Sequence, residues 1–155
     1  MLNLPNLIKL EDFGGNWGKY IDAVYMVFKV DFLDKNPTLN GKRIILCNKD
    51  LYRGKENTFW HITSAGKEEE ERIPDFSKCE RIRWIDYYIN EANNDNESIV
   101  IWEEDRKVKI SNDQWDYVII LIPTRNCYLL LTAYPVEREH RRLKIKKSYL
   151  RSKSA

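Results

Sequence analysis

The chain predicts an α+β domain: a mostly antiparallel sheet of about five or six strands with helices packed on one face, plus an N-terminal helix and a basic C-terminal helix. Three observations predict it. Apolar residues recur at helical spacing near the amino terminus and again over 77–92. Between 98 and 134, four short apolar runs follow one another with charged or turn-forming connectors, the pattern of a meander. A hydrophobic content of 43% beside 32% charged residues, over 155 residues, suits one domain spanning 1–155.

Taken in order, residues 1–15 are a lead-in closed by Gly14-Gly15. Trp17, Tyr20, Ile21, Val24, Tyr25, Val27, Phe28 and Phe32 then form a stripe that predicts a helix over about 16–33, capped by Asn16 and left at Asn36-Pro37 and Gly41. The core occupies about 40–136. Arg43-Ile44-Ile45-Leu46-Cys47 reads as a strand ended by the polar Asn48-Lys49-Asp50, and Thr58 to Ser64 reads as its antiparallel neighbour. Strand alternation places Phe59, His61 and Thr63 on one face of that neighbour. The run 67–72, Lys-Glu-Glu-Glu-Glu-Arg, reads as a solvated loop. Pro74 with Asp75 or Ser77 opens a helix over about 77–92 that buries Cys79, Ile82, Ile85, Tyr88 or Ile89, and Ala92. Strands follow at 98–103, 107–110, 117–122 and 128–134, and alternation in the last puts Tyr128, Leu130, Thr132 and Tyr134 together. Pro135 stops it, and about 137–151 is helical.

Charge is unevenly spread. From Glu137 to Ala155 there are eight basic residues and two acidic ones, a net of +6, so a total of +2 leaves about −4 for residues 1–136. Clustered Lys and Arg give affinity for polyanions. Three separated cysteines (Cys47, Cys79, Cys127) and two distant histidines indicate neither a disulfide framework nor a metal site, and no cofactor is expected. Gly14-Gly15-Asn16-Trp17-Gly18 follows no strand, so it is neither a dinucleotide fingerprint nor a P-loop. The amino terminus lacks a basic start, and no run reaches the ~20 apolar residues of a membrane span, so a cytoplasmic protein with no membrane partner is expected.

What remains is a site built from His, Arg or Lys, Thr and Tyr. These groups suffice to cleave RNA through attack of a ribose 2′-hydroxyl on the adjacent phosphate, which needs a base, an acid and cations or hydroxyls for the dianionic transition state. A histidine serves either proton-transfer role because its ordinary pKa is ~6.5. His61 is the expected acid or base, with Thr132 and Tyr134 on the phosphate. Arg81 and Arg83, set against the helix dipole in the first half of their helix, are candidates for neutralising it. Lys55, Thr63, Tyr128, Arg141, Arg142 and Lys144 are the expected substrate-binding residues. The competing account of His61 is a half-buried histidine hydrogen-bonded within the core.

Two blocks, Phe-Trp-His-Ile-Thr-Ser at 59–64 and Leu-Leu-Thr-Ala-Tyr-Pro at 130–135, give residues 40–145 a resemblance to a superfamily of small metal-independent ribonuclease domains. That superfamily includes barnase, EndoU, colicin D and RelE, and the likeness is greatest to its phage-encoded and polymorphic-toxin members. The first block resembles their early histidine-bearing strand, and the second their last strand. The resemblance implies an RNA substrate, with tRNA among the candidates, and a 2′,3′-cyclic phosphate product. It places His61 and Thr132 in the active site with Tyr134 beside them. It also implies a toxin role with a cognate antitoxin or immunity protein as partner. The family's basic catalytic residue has no secure match, which leaves Arg81, Arg83 and Lys55 open. Because the superfamily contains degraded members, the alternative is a non-catalytic RNA-binding or protein-interaction module, including an immunity-type protein, on the same fold.

Overall fold

The Asn16 side chain accepts a hydrogen bond from the Lys19 N–H and starts α1 (Trp17–Lys29), which runs on through a π-helical turn, Val30–Asp34. This is a computed structural model, and it describes residues 2–47, 51–65 and 73–154. The turn predicted at 48–50 and the charge run at 67–72 lie outside the described residues. Tyr20, Ile21, Val24, Phe28 and Phe32 are buried, so the predicted aromatic stripe is the docking face of α1. The chain then forms a hairpin that the sequence reading passed over, β1 (Thr38–Leu39) with β2 (Lys42–Ile45). Its two turn residues, Asn40 and Gly41, have φ of 52° and 82°, the left-handed pair that two-residue hairpins require and Asn-Gly supplies.

The predicted strand at 58–64 is a helix, α2 (Asn57–Thr63). Phe59 and Ile62, three residues apart, enter the core together, and the hydroxyls of Thr63 and Ser64 donate to the carbonyls of Phe59 and Trp60 four residues earlier. Tertiary burial at helical spacing has overridden a β-rich composition. The short strands β3 (Ser64–Ala65) and β4 (Ile73–Pro74) pair antiparallel. The single helix predicted over 77–92 is two, α3 (Phe76–Glu80) and α4 (Ile82–Asn93), separated at Arg81. Asp75 caps α3, accepting from the N–H groups of Ser77 and Lys78. All the predicted apolar positions, Cys79 to Ala92, are buried.

The predicted meander is present as β5 (Ile99–Glu104), β6 (Lys107–Asn112), β7 (Tyr117–Pro123) and β8 (Cys127–Pro135), followed by α5 (Glu139–Ser154). The six-stranded sheet has the order β1-β2-β8-β7-β6-β5 and is mixed, not the mostly antiparallel sheet expected, because β2 runs parallel to β8. The long excursion through α2, α3, α4 and the meander supplies the crossover a parallel pair needs.

Helices occupy both faces of this sheet, which corrects the single-face expectation. One face carries Ile110, Ile119, Leu121, Leu130 and Ala133 into a cluster with Tyr20, Phe28, Phe59, Ile85 and Ile89. On the other face lies Trp102, whose indole N–H donates to Ser148 Oγ at 2.9 Å, and the rings of Trp102, Trp115 and Tyr149 meet edge-on or tilted. Among the described residues no helix is long and apolar enough to cross a membrane.

α5 is held by polar contacts as much as by apolar ones. Glu104 lies 3.0 Å from Arg151 and 3.1 Å from Lys109. The Ser148 hydroxyl, then Arg151 and Lys109, hold its carboxyl down at about 2 against the raising effect of burial. A depressed carboxyl stabilises the fold fully above its ordinary 4.5 and loses that contribution as pH falls toward about 2. Glu104→Gln should therefore flatten the acid limb of the stability profile over that interval and cost about 1–2 kcal/mol at neutral pH, read by urea unfolding as a function of pH.

Candidate functional site

Both ends of α2 are fixed by the residues that flank it. At its start the buried Glu56 accepts the Tyr25 hydroxyl at 2.6 Å, and burial first, then Glu56, pushes the phenol up to about 12. Lys55 sits 3.4 Å from Asp22 and over the Tyr25 ring, and the Trp60 indole donates to the Tyr52 carbonyl. At its end the last-turn carbonyls have no partner within the helix and must find donors elsewhere. His61 O receives both Lys78 Nζ and Thr132 Oγ1 at 3.3 Å, and Ser64 O receives Lys78 Nζ at 3.1 Å. Thr63 O takes the Asp75 N–H at 2.9 Å and the Cys79 thiol, which burial pushes up to about 12. His61 is thus held through its backbone, and its residue is solvent-exposed.

A bulge between Ile120 and Leu121 decides what faces what on β8. Leu130 opposes Leu121 and Ala133 opposes Ile119, so both point into the core; Thr132 opposes Ile120, which opposes Lys109, which opposes Trp102. Thr132 and Tyr134 therefore lie on the face that carries α5, while Tyr128 and Leu130 lie on the other. This corrects the expectation that all four share a face. Burial raises the Tyr134 phenol and the charge of nearby Arg141 pulls it back, which places the start of α5 beside the end of β8.

The structure brings Thr132 against the His61 carbonyl, and Tyr134, on the same face of β8 as Thr132, within the influence of Arg141. The other predicted residues stand apart or are occupied. Thr63 is buried with its hydroxyl on Phe59 O, and the Tyr128 ring lies under Lys42 Nζ at 5.7 Å. Arg81 donates to Ser77 O at 2.9 Å and stacks over Trp84. Arg83 lines a groove between α1 and α4, and Lys55 belongs to the opposite end of α2. Arg142 pairs with Glu139 at 3.4 Å, and Lys144 is exposed one residue pair further along α5.

Lys78 is the residue the sequence reading missed. It stands in the last turn of the five-residue α3, where a cation is ordinary, so no local signal singles it out. No protein-family model, no curated protein and no solved structure matches this chain.

Thr132→Val keeps the shape of the side chain and removes the donor to His61 O. It should lower stability by about 1 kcal/mol, a fall of a few degrees in Tm, and should broaden amide signals of α2 more than those of β5 and β6 in a two-dimensional NMR spectrum.

Proposed function

We propose that the protein is a metal-independent endoribonuclease that cleaves RNA by 2′-hydroxyl attack. The observation that carries the reading is the convergence of Thr132 and Lys78 on the carbonyl of an exposed histidine, next to Tyr134, Arg141 and a strongly basic helix. His61 takes the 2′ proton, the 2′-oxygen forms its bond to phosphorus, and the P–O5′ bond breaks to leave a 2′,3′-cyclic phosphate. The leaving 5′-oxygen needs a proton, and Tyr134, a phenol on the same face of β8 as Thr132 and protonated at neutral pH like any phenol, is the group that donates it. Lys78 and Arg141 take over from Arg81 and Arg83 as the cations nearest the reacting phosphate. Thr132, whose hydroxyl is spent on His61 O, positions the histidine rather than the phosphate. The exposed Arg141, Lys144, Lys146 and Lys147 on α5 steer the RNA backbone without regard to sequence.

tRNA is the first substrate to try, and cleavage of the host's own RNA would make a neutralising antitoxin or immunity protein necessary. Purified protein and His61→Ala should be incubated with end-labelled tRNA, mRNA and rRNA in excess EDTA and the fragment ends analysed. Cyclic-phosphate ends, formed about 10²–10⁴-fold more slowly by His61→Ala, are the expected result. RNA of every class left intact but bound in a salt-dependent way would replace the nuclease with the non-catalytic binding module. An equal rate in His61→Ala would remove His61 from the mechanism.

A further inference from the structure

The two faces of the six-stranded sheet are covered unequally. On the core side Ile44, Ile119, Leu121 and Leu130 are at most 2% exposed. Ile45, Ile120, Ile122 and Leu129, their neighbours along the same strands, point to the opposite face and are all partly exposed. They adjoin one another there, because Ile45 pairs with Leu129, Leu129 with Ile122, and Ile120 with Thr132. α5 crosses this face from beside Tyr134 to Trp102 and Glu104 on β5. α1, α3 and α4 bury their apolar residues on the core side, and α2 docks at the edge of β8 with Phe59 and Ile62 in the core. Among the described residues, then, no helix lies over the aliphatic strip from Ile120 to Ile45.

The strip has the dimensions of a missing helix. From β7 to β2 is two strand spacings, about 10 Å. A helix is about that wide, so one laid beside α5 would complete the second layer. The borders of the strip are cationic. Val108 opposite Leu121 puts Lys107 opposite Ile122, and Lys109 pairs with Ile120. Arg43, whose guanidinium also donates to Asn36, lies two residues from Ile45 on the same face. Lys144 is exposed and stands seven residues before Arg151, on the flank of α5 that reaches Glu104. Glu104 is the carboxylate that the described strands present on this face, and Arg151 and Lys109 already hold it.

These features choose among occupants. A second copy would bring the same cations and be repelled. Single-stranded RNA stacks its bases on aromatic rings, whereas this floor is aliphatic. A lipid surface is too flat to reach a floor recessed beside α5 by about 10 Å. We infer that the strip is the docking site of an acidic amphipathic helix of a partner protein. Its apolar side rests on Ile45, Ile120, Ile122 and Leu129, and its carboxylates meet Arg43, Lys107 and Lys144. The inference does not depend on the RNA-cleaving reading.

The test titrates the full chain, labelled at Ile and Leu methyl groups, with a capped helical peptide of about 14 residues that carries Leu along one side and Glu on both flanks. Control peptides have Lys in place of Glu, or Ser in place of Leu. Saturable shifts centred on Ile45, Ile120, Ile122 and Leu129 are expected, with affinity about tenfold lower or worse for each control. Ile122→Glu should weaken the acidic peptide at least about tenfold. Lys144→Glu, at an exposed site, should weaken it about threefold and serves if Ile122→Glu does not fold. Equal affinity for the Lys peptide, shifts centred on the exposed Met26 and Val30 instead, or no saturation at millimolar peptide would each overturn the proposal. So would tighter binding, at the same methyl groups, of an oligouridine or of phosphatidylserine vesicles, which would make the strip a nucleic-acid or a lipid face.

Discussion

A seven-residue helix cannot satisfy its own ends, and the placement of α2 follows from that constraint. Its terminal carbonyls are taken by groups from two other places in the chain: Lys78, the Cys79 thiol and the Asp75 N–H from α3 and its cap, and Thr132 from β8. Each donor also fixes its own element against α2. The parallel pairing of β2 with β8 covers only Cys127 to Leu129, so beyond it the edge of β8 is left for α2 to occupy. The position of His61 at the surface follows from this docking. Phe59 and Ile62 claim the inward side of the helix, Trp60 is half-buried beside them, and His61 is turned out.

The bulge in β8 is the second determinant. Strict alternation would keep Tyr128 and Thr132 on one side of the sheet and bury or expose them together. The extra residue beside Ile120 and Leu121 lets Leu130 and Ala133 both enter the core, and it turns Thr132 and Tyr134 to the side where α5 begins.

The parts of the fold written in long periodic stretches were legible. The aromatic stripe of α1, the apolar face of α4 and the four-strand meander all follow from repetition over enough residues for periodicity to decide. The mis-assigned elements near the His61 segment are short, so periodicity has little to work with. Thr58 to Ser64 is rich in β-branched and aromatic residues, and only its neighbours make it helical. The hairpin at Asn40-Gly41 carried its turn signal openly, but strands of two and four residues give no alternation to confirm it. The parallel pairing of β2 has no local signature at all. For the proposed site, residue chemistry and resemblance nominate His61, Thr132 and Tyr134, and the basic segment nominates Arg141, while Lys78 has no signal in the sequence and comes only from the contacts of its side chain.

The basic helix shows how the two ends of the chain's charge are reconciled. α5 has few apolar residues, and Leu143 and Leu150 remain about half exposed. Hydrophobic burial alone would hold it weakly. Its docking instead uses the ring contacts of Tyr149 and the buried Ser148, closed by Glu104 between Arg151 and Lys109. Glu104 thereby neutralises basic charge at the far end of α5, over β5, while Arg141, Lys144, Lys146 and Lys147 stay exposed. The exposed positive charge of α5 therefore lies ahead of the segment that Glu104 ties to the sheet.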